Sequence, residues 1–381
     1  MTETLILSRN EIEELVSTRQ ALEHMRDAFR LYSTQRTVPT LRVPSPLPPP
    51  APSDAGAMIL VPGVVAGIPA YTVKVHSKHP GRAPAIQGVI ILCCLETGAT
   101  LAILESGFLT ALRTGLAGAI GADVLARPDA RTVAIVGAGV QGILQLEMLL
   151  LVRPISRARV YDISPDRARD FAARHSSRLG IEIEPMGKLG AALGYADIVV
   201  TATWANEAFL HPGMIGPGSH ITTLGADQPR KAEVNAELLR SSLFVCDDRD
   251  LAVTMGAAGG AGVGAEVIDA ELGEVIAGVH PGRTEPDQIT IFGSVGLAFQ
   301  DLVVAWLVYQ RALKDGTGHR VDSAAGVVEI HVSNADRRTD CTLRPCSIIS
   351  GCYHFKLALH RGYPERCHRV RHAVAARNSL D

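Results

Sequence analysis

Neither sign of charge is in surplus in this chain. Its 381 residues carry 37 Lys and Arg against 39 Asp and Glu, so the basic footprint that marks nucleic-acid binding is missing. No apolar run approaches the roughly 20 residues that a membrane-spanning helix needs. The N-terminus, Met-Thr-Glu-Thr-Leu-Ile-Leu-Ser, is acidic and lacks the apolar centre of a signal peptide. Seven cysteines, an odd number in a chain this long, do not form a disulfide framework. Cys93 and Cys94 sit in the strand-like run Val89 to Leu95 and read as buried thiols. These absences leave a cytoplasmic globular protein with material for about two domains, and with neither nucleic acid nor membrane as partner.

What is present speaks most clearly at Val133-Ala-Ile-Val-Gly137-Ala-Gly139-Val-Gln-Gly142. An apolar strand breaks into three spaced glycines and restarts as a helix, as required where a dinucleotide pyrophosphate sits on a helix N-terminus. Gly137 permits the turn, Gly139 lets backbone approach phosphate, and Gly142 lets helix and strand pack closely. A second strand, Ala158 to Asp162, ends in an acid 20 residues beyond Gly142. There a carboxylate accepts both ribose hydroxyls and repels a 2′-phosphate, so NAD(H) is favoured, with NADP(H) possible because Arg167 and Arg169 follow closely.

The rest of the chain arranges itself around this unit. An N-terminal helix carries Leu15, Leu22, Met25 and Phe29 on its apolar positions. From Pro39 to Pro52 proline is dense enough to forbid helix and regular ladder pairing, so an extended segment is expected. Strand-like segments follow at 57–61, 70–76, 89–95 and 100–105, joined by hairpin-type connections as in an antiparallel sheet. An Ala/Gly-rich helix spans 109–125. Beyond Arg131, strand and helix alternate, with strands at 133–136, 158–163, 181–183, 197–203, 220–224 and 243–246. That alternation predicts a parallel sheet with helices on both faces. A long helix over 295–314 is expected to return to the first domain. The fold class is thus α/β: a Rossmann-type doubly wound sheet over 123–294, plus an α+β domain with an antiparallel sheet over 1–122 and the returning helix at about 295–323. From about Ala324 the chain holds four of the seven cysteines and no periodicity. No C-x-x-C pair supports a metal site there, and a disordered or non-native tail is expected.

A nicotinamide enzyme must hold its substrate at the carboxyl edge of the parallel strands. Arg113, among small residues, is either a bidentate carboxylate clamp or a surface helix arginine. Lys74 shares a strand face with Thr72 and His76; the bland alternative is an edge-strand lysine that keeps the sheet soluble. Asp227 closely follows the strand ending at Leu224, where ligands collect, or is an ordinary loop aspartate. Arg42 is either carried over the cleft by the proline-rich segment or solvated. Thr201, Thr203 and Ser294 line the nicotinamide site or serve their strands.

The ordered blocks Lys74 with His79-Pro80, Thr97-Gly98, Thr110-Ala-Leu-Arg-Thr114, Gly137-Ala-Gly-Val-Gln141, Thr201-Ala-Thr203, Gly225-Ala-Asp-Gln-Pro-Arg-Lys-Ala-Glu233 and Phe292-Gly-Ser-Val-Gly296 resemble the ornithine cyclodeaminase/mu-crystallin family across 1–323. The resemblance implies a homodimer built through the N-terminal sheet, with NAD(P) on Thr114, Gly137, Gly139, Val140, Gln141, Gly142 and Asp162. It also implies that Arg42, Lys74 and Arg113 hold a substrate carboxylate, that Lys74 moves a proton, and that Asp227 orients an amine or water. Two arginines near Lys74 would disfavour its charged form. Cyclising relatives carry a glutamate just before the proline matching Pro62; here Met58-Ile-Leu-Val61 is apolar. The expected function is therefore NAD(P)-dependent oxidoreduction at the Cα–N bond of an amino or imino acid. Two alternatives stand behind it: an ornithine or lysine cyclodeaminase using catalytic NAD+ and releasing ammonia, and a non-catalytic NADPH- or ligand-binding protein.

Overall fold

The computed structural model describes residues 3–35, 43–46, 57–79, 84–228 and 231–322. Arg42, Pro80, Pro229, Arg230 and the segment from Ser323 onward, with its cysteines, lie outside the described residues. Fifteen strands among the described residues form two sheets.

The first sheet contains β1 (Glu3–Leu7), β2 (Val43–Pro46), β3 (Ala57–Gly63), β4 (Ala70–Lys78), β5 (Ile86–Cys94), β6 (Thr100–Glu105) and β15 (His319–Asp322), in the order β15-β1-β6-β5-β4-β3-β2. Neighbours run antiparallel except β1 and β6, which are parallel, so the sheet is mixed. Pairing of β2 with β3 corrects the expectation for the proline-rich segment: Val43-Pro-Ser-Pro46 forms a ladder. It does so as the outermost strand, the position where a residue without an N–H is tolerated.

Cross-strand register sorts the two faces. Leu7, Leu104, Ile90, Lys74 and Val61 stand opposite one another on five strands, and all are buried. The next row, Ile6, Ile103, Ile91, Val73 and Pro62, belongs to the other face and is half-buried or exposed. Lys74 is the single polar member of its buried row. It is 2% exposed on a strand flanked on both sides, so it is no edge lysine. Cys93 is buried as expected, but Cys94 is only half-buried.

Helices cover the buried face. The N-terminal helical segment is two helices, Arg9–Leu15 and Thr18–Thr34, separated where Ser17 caps the second through Gln20 N. Leu15, Met25 and Phe29 are buried and Leu22 packs against the same core. The returning helix, Ala298–Asp315, packs on β4, on Thr18–Thr34 and on Ser106–Leu125. Ser106–Leu125 contradicts the sequence reading on apolar runs, because by length and composition it is able to cross a membrane. Its alanines and glycines serve a different end. The window is 78% buried inside the protein, and the helix touches both β5 of the first sheet and strands of the second. A helix apolar on all sides is the core helix of a large unit.

The second sheet is wholly parallel: β7 (Thr132–Val136), β8 (Arg157–Tyr161), β9 (Glu182–Pro185), β10 (Ile198–Thr201), β11 (His220–Thr223), β12 (Leu243–Cys246), β13 (Ala270–Glu271) and β14 (Thr290–Gly293), ordered β13-β12-β14-β11-β10-β7-β8-β9. Strand order reverses at β7 and β10, where doubly wound sheets open a ligand crevice at their carboxyl ends.

His220 of β11 is fully buried, with Nδ1 2.9 Å from Thr290 Oγ1 and Nε2 3.1 Å from Thr222 Oγ1. Burial, aided by the nearby Arg283 and Arg153, pushes its pKa down to about 3. The unfolded chain, where histidine titrates near its ordinary value, therefore binds this proton first as pH falls. Stability contributed by neutral His220 is full above about pH 6.5 and is lost toward pH 3. We expect acidification to about pH 5 to cost on the order of 2 kcal/mol through this group. Urea midpoints near pH 7 and pH 5 check it: His220→Gln should show a visibly shallower acid loss than the wild type.

Candidate active site

The glycine loop is built as its sequence spacing predicts. Gly137 has φ +106°, a conformation costly for any side chain. A Cβ on Gly142 would collide with the Gly137 carbonyl oxygen, whereas one on Gly139 would meet no atom within 4 Å. Helix Val140–Leu149 starts at Gly139 with no side-chain cap, leaving the first-turn N–H groups of Val140 and Gln141 available to an anion. Gln141 ties this turn to Ser106–Leu125 through Ala111 O (3.5 Å), while its Oε1 is buried without a hydrogen-bond partner. Thr114 turns its hydroxyl onto Thr110 O (2.8 Å) and its carbonyl accepts from Gln145. Asp162, just beyond β8, accepts from Ala138 N and Ser164 N, each at 2.9 Å. Each carboxylate oxygen still has a second acceptor direction for a ribose hydroxyl. A cradle that only glycine leaves open, uncapped N–H groups and a flanking acid fit a dinucleotide.

Thr201, Thr203 and Ser294 converge on the same carboxyl edge, but their hydroxyls serve buried acids. Glu233, 1% exposed, accepts from Thr201 Oγ1 (2.7 Å), Thr203 N (2.8 Å) and Oγ1 (2.7 Å), Thr223 Oγ1 (2.7 Å) and Gly225 N (2.8 Å). Five donors on one carboxylate replace the water it gave up, and they clamp the ends of β10 and β11 together. Ser294 Oγ donates to Asp247 Oδ2 (3.0 Å). Their hydroxyls are thus spent on protein acids, and Thr201 and Ser294 are themselves buried.

The residues expected to meet a substrate gather on β4 and the elements packed against it. Lys74, His76 and Lys78 share its buried face, as alternation requires. Lys74 Nζ lies 3.0 Å from both oxygens of Asp301, in the first turn of Ala298–Asp315. Arg113 is 8% exposed, so it is not a surface arginine. Its Nε stands 3.3 Å from Asp301 Oδ1 and its Nη1 donates to Gln300 Oε1 at 2.7 Å. The expectation took only cations into account beside Lys74; the structure adds an anion, the Asp301 carboxylate, between Lys74 and Arg113. Four residues along β4, Lys78 Nζ binds Asp227 Oδ2, and Lys231 Nζ binds Oδ1 at 2.9 Å while lying 4.6 Å from the Trp204 ring centroid. Asp227 thus carries an ammonium on each oxygen, which sequence reading did not anticipate.

Asp301, Gln300, Lys78, Lys231, Glu233 and Asp247 were all missed as site residues. Lys78 had a signal, since it shares parity with Lys74 on one strand. So did Asp247, which follows β12 at the carboxyl edge just as Asp227 follows β11. An acid in a first helical turn, such as Asp301, carries no sign of a distant partner.

Comparison with known proteins fits this architecture. Residues 2–316 match the model of the ornithine cyclodeaminase/mu-crystallin family. The chain belongs to that family. It is 33% identical over 330 residues to alanine dehydrogenase of Archaeoglobus fulgidus, covering 84% of this chain and 98% of that protein. Among solved structures, an archaeal alanine dehydrogenase dimer with bound NAD superposes with a TM-score of 0.78 at 32% identity, covering 84% of this chain and 99% of that one. The Thermococcus litoralis Delta(1)-pyrroline-2-carboxylate reductase in complex with NADH and L-proline gives 0.78 at 35% identity, covering 84% and 100%.

One prediction tests the cradle. Gly142→Ala should weaken NADH binding by at least about tenfold while leaving helix content unchanged, because the collision is confined to the loop. Isothermal calorimetry and far-ultraviolet circular dichroism on the same sample check it; wild-type affinity would remove the loop from the cofactor site.

Proposed function

We propose that this protein reduces a cyclic or apolar 2-imino acid, or runs the reverse oxidation of the corresponding amino acid, as an NAD(P)-dependent oxidoreductase acting at the Cα–N bond. The carrying observation is the pairing of a cationic clamp with a separate acid along one strand face. Lys74 and Arg113, held by Asp301, suit a carboxylate, and Asp227 with Lys78 suits the nitrogen end. NAD(H), when bound at the glycine loop, supplies or accepts the hydride at Cα. On this reading Arg113 and Lys74, joined by Arg42, orient the carboxylate so that Cα faces the crevice. Lys74 is the proton donor in reduction, with Asp301 holding its Nζ in place. Asp227, carrying Lys78 and Lys231, orients the nitrogen or a water. Residues 123–294 bear the cofactor; 1–122 with the returning helix bear the substrate and the dimer contact.

One observation favours a reductase or dehydrogenase over a cyclodeaminase. Val61, before Pro62, is 8% exposed and packs on Ala298, offering nothing to a distal amine. The Asp162 carboxylate supports NAD(H) over NADP(H), and free thiols at Cys93, Cys94 and Cys246 suit a cytoplasmic enzyme.

Absorbance assays with NADH and NADPH test the reading on pyrroline-2-carboxylate, piperideine-2-carboxylate and pyruvate plus amines. We expect NADH oxidation with at least one of these and little ammonia from ornithine or lysine; rapid proline formation from ornithine without net NADH would reverse the choice. In the same assay Arg113→Lys should lose at least about tenfold in kcat/KM through substrate binding, and Lys74→Ala should lose mainly kcat, with NADH affinity nearly unchanged in both.

The face opposite the clamp supports a homodimer. Ile6, Ile103, Ile91 and Val73 line up across four strands, with Ile6 42% exposed. Such an apolar row on a sheet face marks an association surface. Ile91→Asp with Ile103→Asp should yield a monomer by sedimentation; an unchanged dimer would place the contact elsewhere.

A further inference from the structure

Asp247 is the buried acid that the reaction as described does not use. It follows β12 at the carboxyl edge of the parallel sheet and is fully buried. Its Oδ2 accepts from Ser294 Oγ (3.0 Å), Val295 N (2.9 Å) and Gly296 N (2.7 Å), while Oδ1 is buried with no hydrogen-bond partner. Asp248 and the Cys246 thiol flank it in the chain, Glu271 ends the neighbouring β13, and Arg113 lies across the turn. Asp248 is differently employed, accepting from Tyr32 Oη (2.6 Å) and from Leu251 N (2.9 Å).

The three groups that Asp247 holds form the connection from β14 to helix Ala298–Asp315. Gly296 has φ +92°, and a Cβ there would collide with the Arg113 guanidinium. The turn therefore forms the wall against which Arg113 is pressed. One step further on, Gln300 N donates to Leu297 O (3.2 Å), and the Gln300 and Asp301 side chains hold Arg113 and Lys74 from the other side. Among the described residues Asp247 has no ion pair, which makes its buried carboxylate costly to keep, and its three donors all belong to one turn.

We propose that Asp247 is a positioning residue for substrate recognition: its carboxylate fixes the 294–296 turn and, through Gly296, the orientation of the Arg113 guanidinium. This rests on the assignment of Arg113 to the substrate carboxylate. Asp247 touches neither substrate nor cofactor in this role. Burial, the largest influence, together with the charge of Asp248 pushes its pKa up to about 6, against the lowering effect of the turn's own donors. The anionic acceptor is therefore present above about pH 6 and is lost as pH falls through that value, which loosens the turn.

Asp247→Asn keeps the shape but exchanges the anion for a neutral amide that both donates and accepts. With an imino acid that the wild type turns over, we expect KM to rise at least about tenfold, kcat to change less, and NADH affinity to stay within about twofold. The wild-type KM should climb below about pH 6, and the variant should lack that limb. An unchanged KM, equal loss of NADH affinity, or an acid limb retained in the variant would overturn the proposal. If no imino acid is turned over, the functional reading fails separately. A crystal structure of Asp247→Asn then decides the positioning claim by itself: a displaced turn with the Arg113–Gln300 hydrogen bond broken supports it, and an unmoved turn and guanidinium overturn it. Should the variant not fold, the wild-type KM between about pH 5 and 7 carries the test, and a flat profile refutes it.

Discussion

The Asp301 carboxylate, wedged between Lys74 and Arg113, is the interaction on which the substrate side depends. Lys74 interrupts a buried row of Leu7, Leu104, Ile90 and Val61. An ammonium there is tolerable only with an anion in contact. Asp301 supplies that anion from a helix that begins right after the second sheet's β14, so a strand of one sheet is tied to the exit of the other. The one carboxylate thereby meets two cations, Lys74 and Arg113, from a strand and from a second helix. The same ion pairs thus hold the helix in place against both.

At the crevice a second acid plays the matching part. Glu233 collects donors from the ends of β10 and β11 and from the loop at Gly225. That fixes the loop that carries Asp227. Both acids are buried, and both fix backbone and side chains that face ligand without facing it themselves. The candidate site is therefore organised largely by buried carboxylates.

Local pattern made much of the fold legible. Alternation over 70–76 announced a strand, although its polar face of Thr72, Lys74 and His76 is the buried one, and the three glycines after Val136 announced the turn into the helix, because those signals depend on neighbours in sequence. Three things were less accessible. The break at Val16–Ser17 was hidden because its apolar spacing continues across it. Val43–Pro46 pairs because it is outermost, which no local pattern shows. Asp301 meets Lys74 across 227 residues of chain, and nothing around either residue advertises the other. Lys74, Arg113 and Asp227 were singled out by type and position, whereas the partners they meet in the structure, Asp301, Lys78 and Lys231, were not.

Helix Ser106–Leu125 lies against both sheets, with Arg113 near its middle and Gln141 and Gln145 of the cofactor helix bonded to its backbone. It therefore acts as a shaft common to both halves of the crevice. Swinging the two sheets apart about a hinge would break this shaft or strip its buried surface, at a cost far above thermal energy. The relative placement of the two sheets is therefore set by one buried helix that both of them share.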